Sequence, residues 1–344
     1  MFRNMAGALE LCTVYLGERL GLYRVLAQEG PKTSAELAER TGTAERYIRE
    51  WLEHHAASGL LTVDDVAAGP LQRRYQLPAM HVPVLADLDD VRYEGYHGTE
   101  LVRAARGMAA LVEAFRTGAA PPPQPWAPEG RPDYNRAAFL NLLGNEWLPQ
   151  IPAIDKRLRA EPGARVADIA CGAGWSSIAM ALAYPLVHVD GFDLDQDVIA
   201  AARRNALDHG VADRVRFTAT DASAADMSGR YEVVTIIEGL HDMTRPADAL
   251  RAARRLLGTP GWLLVADELT EDEFTAPASL LECYHYAWSV IGCLPAVMGE
   301  PGTAATGAVM RPGTLRRYAL EAGFPGLEVL PVKTDWLRFY LLTP

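Results

Sequence analysis

A chain of 344 residues exceeds the size at which one hydrophobic core usually stops growing, so two domains are expected. Apolar residues make up 49% of it, enough for sizeable cores, and 33 basic against 44 acidic side chains leave a net charge of -11. That balance opposes a large nucleic-acid footprint, which is built from excess lysine and arginine, and favours a small neutral or cationic partner.

The N-terminus MFRNMAGALELCTVYLGERL carries Glu10 and Glu18 where a signal peptide would be apolar, and no stretch reaches the length of a membrane span, so a cytoplasmic protein is expected. Residues 5–65 read helically. ALELCTVYLGERLGLYRVLA repeats apolar positions at three- and four-residue steps; KTSAELAERTG opens with Thr33 and Glu36 at capping-box spacing and closes on Gly42. A further helix, TAERYIREWLEHHAASG, stops at Gly59, and LLTVDD with RRYQLP predicts a short hairpin. Three helices and a two-stranded wing make a winged helix-turn-helix over residues 1–85. The N-terminal helix spreads Leu9, Leu11, Val14, Leu16 and Leu20 around its circumference, more than one face hides, which predicts a homodimer contact.

Such folds read DNA, so a cofactor-sensing transcriptional regulator is the alternative reading. Residues 1–85 hold nine basic and ten acidic side chains, and the would-be recognition helix interleaves Glu45, Glu50 and Glu53 with Arg46 and Arg49. Phosphates would meet as many acids as bases there, which argues against nucleic acid.

Residues 86–160 read as a helical bridge and substrate lid. Its helices flank GAAPPPQPWAPEGRPDY, a proline-rich flap whose Trp126 is placed to close on a substrate. From Arg165 the pattern alternates strand and helix, which predicts an α/β domain over residues 161–344 with a doubly wound sheet; GLEVLPVKTDWLRFYLLTP adds two late strands.

Ligands in such sheets bind beyond the carboxyl ends of the strands. The first strand ends in DIACGAGWSS, where Gly172 and Gly174 let the backbone turn and approach a ligand and Asp168 supplies a carboxylate for an ammonium or hydroxyl group. Asp193 ends the second strand, where an acid can take both ribose hydroxyls, and Asp221-Ala222 ends the third, in position for an adenine amino group. A dinucleotide domain is the rival, but Ser177 stands where the third glycine of its fingerprint would be. The fourth strand runs into TIIEGLHDM, which brings Glu238, His241 and Asp242 to the same edge, Glu238 as a pocket wall and Asp242 as a turn residue.

These motifs, VADIACGAGWSS, GFDLD, TDA and EGLHDM with RRLLGTPGWLLVADE downstream, resemble those of class I S-adenosylmethionine-dependent methyltransferases. With its winged-helix N-terminus the whole chain resembles the dimeric small-molecule methyltransferases of plants and actinomycetes, most specifically over residues 165–270. The resemblance implies a Rossmann-like seven-stranded sheet with an N-terminal winged-helix domain, and S-adenosyl-L-methionine as cofactor. It places Asp168, Gly172 and Gly174 at the methionine end, Asp193 at the ribose, and Asp221 and Ala222 at the adenine. Ala170 departs from the family's first loop glycine, and alanine is tolerable there if its φ stays negative.

In such relatives a histidine in an LHD sequence is the general base, here His241, held by an acid at the end of the fifth strand. GWLLVADEL offers Asp267 and Glu268, and the choice stays open. The insert SLLECYHYAWSVIGCLPAVMGEPGTAATGAVM places Glu282, Tyr284, His285 and Trp288 to wall an aromatic acceptor, a phenolic oxygen or an indole-type carbon. No carboxylate set reads as a magnesium site. Four scattered cysteines, with no paired spacing, suggest neither disulfides nor zinc and read as buried free thiols.

Overall fold

In the computed structural model, which describes residues 1–122, 133–221 and 230–344, the N-terminal helical pattern is cut by Gly21. Gly21 has φ +69, a left-handed conformation that glycine adopts without steric penalty, and it separates α1 (Phe2–Arg19) from α2 (Leu22–Glu29). The capping box forms as expected. Thr33 accepts from the Glu36 amide and Glu36 accepts from the Thr33 amide, opening α3 (Ser34–Thr41), which Gly42 closes at φ +66. Next come α4 (Glu45–Ala57) and the two-stranded wing, β1 (Thr62–Val63) antiparallel to β2 (Tyr75–Gln76).

These elements pack around Leu22, Leu26, Leu37, Ile48 and Leu52, all nearly inaccessible to solvent. Each such side chain stabilises the fold by roughly 1.5–3 kcal/mol through burial. His55 is in the same core, fully buried, with Nε2 3.1 Å from the Tyr23 hydroxyl and no partner for Nδ1 among the described residues. Burial, helped by the neighbouring His54, pulls its pKa down to about 4. An unfolded chain protonates this histidine near 6.5, so between pH 6.5 and about 4 the unfolded state binds more protons and stability falls as pH falls. The expected loss, up to about 3 kcal/mol, follows from the shift at 1.36 kcal/mol per unit. Hydrogen exchange of α4 amides should lose protection from pH 7 to pH 5, and His55→Leu should abolish that dependence; a dependence that survives the substitution would rule out His55 as its origin.

The described residues divide into two compact units, 1–107 with 133–137 and 108–122 with 138–221 and 230–344. The bridge expected over 86–160 is therefore shared between them. The reason is apolar: Phe139, Leu143, Trp147 and Leu148, in and just after a π-helical stretch Phe139–Trp147, enter the core of the second unit. Gly144 allows that approach, since a Cβ there would stand 2.3 Å from the Ala183 Cβ.

The second unit is built on a seven-stranded sheet in the order β5-β4-β3-β6-β7-β9-β8. The strands are β3 (Arg165–Ile169), β4 (His188–Asp193), β5 (Val215–Ala219), β6 (Tyr231–Ile237), β7 (Leu257–Glu268), β8 (Glu328–Leu330) and β9 (Leu337–Leu342). The first five are mutually parallel, whereas β9 runs antiparallel to both β7 and β8. Apolar clusters cover both faces, which is why β6 reads as an unbroken run of β-branched residues rather than as an alternation. After β5 the chain returns to the other side of β3, so the order reverses between β3 and β6, and a crevice opens at their carboxyl ends.

Candidate active site

The loop after β3 turns through three left-handed residues, Ala170 at φ +57, Gly172 at φ +53 and Gly174 at φ +85. The negative φ required for Ala170 is thus not what the fold adopts. A non-glycine residue in this region costs about 1–2 kcal/mol. Opposite it, Gly239 leaves room: a Cβ there would stand 3.1 Å from the Ala170 Cβ. Glu238, at the end of β6, is also left-handed at φ +51, so strained backbone gathers on both sides of the switch point. Gly174 needs glycine twice over, for its φ and because a Cβ would meet the Phe217 ring at 2.4 Å.

Asp168 is only 1% exposed and accepts three hydroxyls: Ser176 Oγ at 2.6 Å, Ser177 Oγ at 2.7 Å and Thr235 Oγ1 at 2.6 Å. Burial pushes its pKa up, and these three donors oppose the shift. It ties β3 and β6 to the first turn of the helix Trp175–Ala183, which explains why a serine replaces the third glycine of a dinucleotide fingerprint. Asp193 braces the loop from the next strand, accepting from the Gly172 amide at 3.0 Å and the Asp195 amide at 3.0 Å. Asp221 is exposed just past β5; Ala222 and Trp126 lie outside the described residues.

Gly172 carries the test of cofactor fit. A Cβ added to it has nothing within 4 Å, so this chain leaves open space against the loop backbone, beside the amide that donates to Asp193. A ligand with an amino acid end and a ribose fits that combination of open backbone and strand-end acids.

On the other side of the crevice the open choice of orienting acid is resolved in geometry. His241 is buried, and its Nδ1 lies 2.7 Å from Asp267 Oδ1. Asp267 is itself fully buried and also accepts the Glu268 amide at 2.9 Å, so the carboxylate is fixed before it meets the imidazole. Burial opposes a charge on His241, but Asp267, by charge and hydrogen bond, outweighs it and holds the pKa well above the ordinary histidine value. The Cys293 thiol and Asp242, whose Oδ1 is 3.3 Å from Nε2, add to the rise. Asp242 was expected only to make a turn; its carboxylate instead sits beside the second imidazole nitrogen.

Glu268 faces a different histidine, with Oε2 3.4 Å from His285 Nδ1. Burial, and then the charge of Glu238, push its pKa well above the carboxylate range. Burial and the charge of His241 lower that of His285, whose Nε2 is buried without a hydrogen-bond partner among the described residues. These contacts attach the helix Leu280–Trp288 to the end of β7. Tyr284, 42% exposed, stacks edge-on with half-buried Trp288 at 6.2 Å. Glu282 does not belong to that wall. It is 1% exposed, accepts Arg311 Nη2 at 2.6 Å and the Glu271 amide at 2.8 Å, and is a strut.

Cys293 is the functional neighbour that sequence reading missed. It is half-buried, Cys12 likewise, and Cys283 is exposed, so only Cys171 fits the expectation of buried thiols. No spacing rule connects residue 293 to residue 241, because the approach is made by the turn after the helix Leu280–Trp288.

Residues 160–296 match the family model described as a methyltransferase domain, and residues 7–87 match an Rv2258c-like winged HTH domain. The chain is 33% identical over 169 residues to a ubiquinone biosynthesis O-methyltransferase of Burkholderia pseudomallei (strain 1710b), covering 49% of this chain and 67% of that protein. Among solved structures, a putative O-methyltransferase from Nostoc punctiforme PCC 73102 matches with a TM-score of 0.70 and 21% identity, over 100% of this chain and 98% of that one. Human N-acetylserotonin methyltransferase in complex with S-adenosylmethionine matches with a TM-score of 0.71 and 17% identity, over 99% and 95%. Both structural matches cover the two units and establish the fold.

Proposed function

The chain belongs to the S-adenosylmethionine-dependent methyltransferases, and on that premise we propose that it methylates an oxygen of a small aromatic metabolite with His241 as the proton acceptor. The observation that carries this reading is the buried pair of His241 Nδ1 and Asp267 Oδ1 at 2.7 Å, at the carboxyl ends of β6 and β7. The names of the relatives favour oxygen as the acceptor atom; an indole-type carbon is the second outcome of the test below.

S-adenosylmethionine supplies, when bound, a methyl group on a sulfonium centre open to in-line attack. The loop at Gly172 and Gly174 and the carboxylates of Asp193 and Asp221 would hold it, with Ala222 at the adenine and Glu238 as a wall beside it, while the buried Asp168, expected to meet the ligand, braces the loop through its three hydroxyl partners instead. The residues of this chain then align the acceptor, exclude water and remove a proton. Asp267 accepts a hydrogen bond from Nδ1–H and fixes the tautomer, which leaves Nε2 to take the acceptor's proton as the carbon–oxygen bond forms. The buried Asp267 charge stabilises the resulting imidazolium. Since the same charge raises the pKa of His241 in the free protein, the acid limb of kcat/KM is expected above 6.5, with activity rising through it as the imidazole loses its proton. Tyr284, His285 and Trp288 would line the acceptor side, and α1 would join two copies through Phe2, Met5, Leu9 and Leu16, all exposed.

The winged helix supports the enzyme over the DNA-binding alternative. Arg46 pairs with Glu50, Arg49 with Glu45, Arg73 with Glu53 and Arg74 with Glu36, so the charges that phosphates would need already face acids.

Cofactor binding has its own prediction. Gly172→Ala should cost about 1 kcal/mol of stability, since alanine must hold a left-handed conformation, yet lower S-adenosylmethionine affinity at least about tenfold by filling the open space. Calorimetric titration and thermal unfolding measure the two effects; unchanged affinity would place the cofactor elsewhere. The reaction itself is tested by transfer of a labelled methyl group to a panel of phenols, indoles and amines, with mass spectrometry of the products. Methylated phenols are expected, and transfer only to amines would refute the proposal.

A further inference from the structure

A second set of donors meets on the acceptor-facing side of His241. Asp242 Oδ1 stands 3.3 Å from Nε2, and the Cys293 sulfur joins them as a third donor. One donor atom from each of the three is within 4.8 Å of the other two.

This arrangement has the dimensions of a tetrahedral metal site. Zinc binds nitrogen and oxygen at about 2.0–2.1 Å and sulfur at about 2.3 Å, so tetrahedral angles separate nitrogen from oxygen by about 3.3 Å and nitrogen from sulfur by about 3.6 Å. The first is the separation observed, and the second falls within the observed limit. An independent feature points the same way. Zinc-binding histidines usually donate their other ring N–H to a carboxylate, and His241 does so to Asp267 at 2.7 Å. Sulfur and imidazole donors select zinc over magnesium or calcium, and the Asp242 side chain, 47% exposed, gives an ion access from solvent.

We infer that His241, Asp242 and Cys293 form a three-donor site for a thiophilic divalent ion such as zinc, and that its occupancy switches methyl transfer off by taking Nε2. The switching half rests on His241 being the base. Binding releases the thiol proton, and any proton on Nε2, to solvent; the thiolate and the Asp242 carboxylate together balance the two charges of the ion, and nothing is oxidised or reduced. The fourth position of the tetrahedron stays open to water.

Cobalt(II), added to the full-length protein as a spectroscopic stand-in for zinc, tests the site. A near-ultraviolet thiolate-to-cobalt charge-transfer band is expected, saturating at one ion per chain and displaced by zinc. Cys293→Ser should abolish the band, and both it and Asp242→Asn should weaken zinc at least about tenfold in competition with a chromophoric chelator, the usual scale for a lost ligand contact. Thermal unfolding of each variant shows whether the fold is kept. No band in the wild-type protein, or the same band in Cys293→Ser, would overturn the site. Zinc should also inhibit methyl transfer in step with occupancy and release it on chelation. Full transfer at full occupancy would overturn the switch and locate the failure in the assignment of His241 as base, while the band would still report the ion.

Discussion

Replacing His241 with alanine is expected to lower turnover at least about a hundredfold while leaving S-adenosylmethionine affinity within a few-fold, the scale and pattern of a lost general base. The cofactor loop lies at the ends of β3 and β4, and its braces are Asp168 and Asp193, neither of which bonds to His241. A truncated imidazole therefore removes the proton acceptor without loosening the loop. Steady-state kinetics with the acceptor found in the panel, set beside calorimetric titration of the cofactor, separates the two effects. Turnover within a few-fold of wild type would remove His241 from the mechanism.

Asp267→Asn is the second large effect, and it acts through His241. An asparagine oxygen left at the Oδ1 position still accepts from Nδ1, so the tautomer can survive, but the imidazolium has lost its counter-charge in a buried site. Burial is then opposed only by the lesser pulls of the Cys293 thiol and Asp242, and the pKa of His241 falls. The acid limb of the rate profile should move to lower pH in the variant. On the alkaline plateau turnover should fall by about tenfold to a hundredfold, because a less basic imidazole is a poorer proton acceptor. A merely structural role for Asp267 would lower the plateau without moving the limb, and an unmoved limb contradicts the assignment.

Much of this was legible in sequence because it depends on order along the chain. Strands that end in DIACGAG, GFDLD and TIIEGLHDM have to bring their polar ends to one edge once the sheet is parallel, and that edge is where the loop, Asp193 and His241 are found. What depends on rotation or on distant packing was not legible. Asp267 and Glu268 are neighbours on one strand, so they point to opposite faces, and only the register of β7 decides which one meets His241. Glu282 and Tyr284 share a helix, yet Arg311, twenty-nine residues beyond Glu282, draws that carboxylate into an ion pair. The left-handed Ala170 reflects the space left by Gly239 in the loop after β6, and Cys293 reaches His241 only through the π-helical stretch Ser289–Cys293, which no motif announces. Phe139–Trp147 read as part of a bridge because its apolar spacing does not reveal which core it will enter.

The central claim, that His241 removes a proton from the acceptor, is tested most directly by varying how much proton removal the acceptor needs. Methyl transfer by wild type and His241→Ala is measured at one alkaline pH for two matched phenols, one protonated and one already ionised. The account predicts a wild-type to variant ratio of at least about a hundred for the protonated phenol and within a few-fold of one for the ionised phenol. The same ratio for both would contradict it.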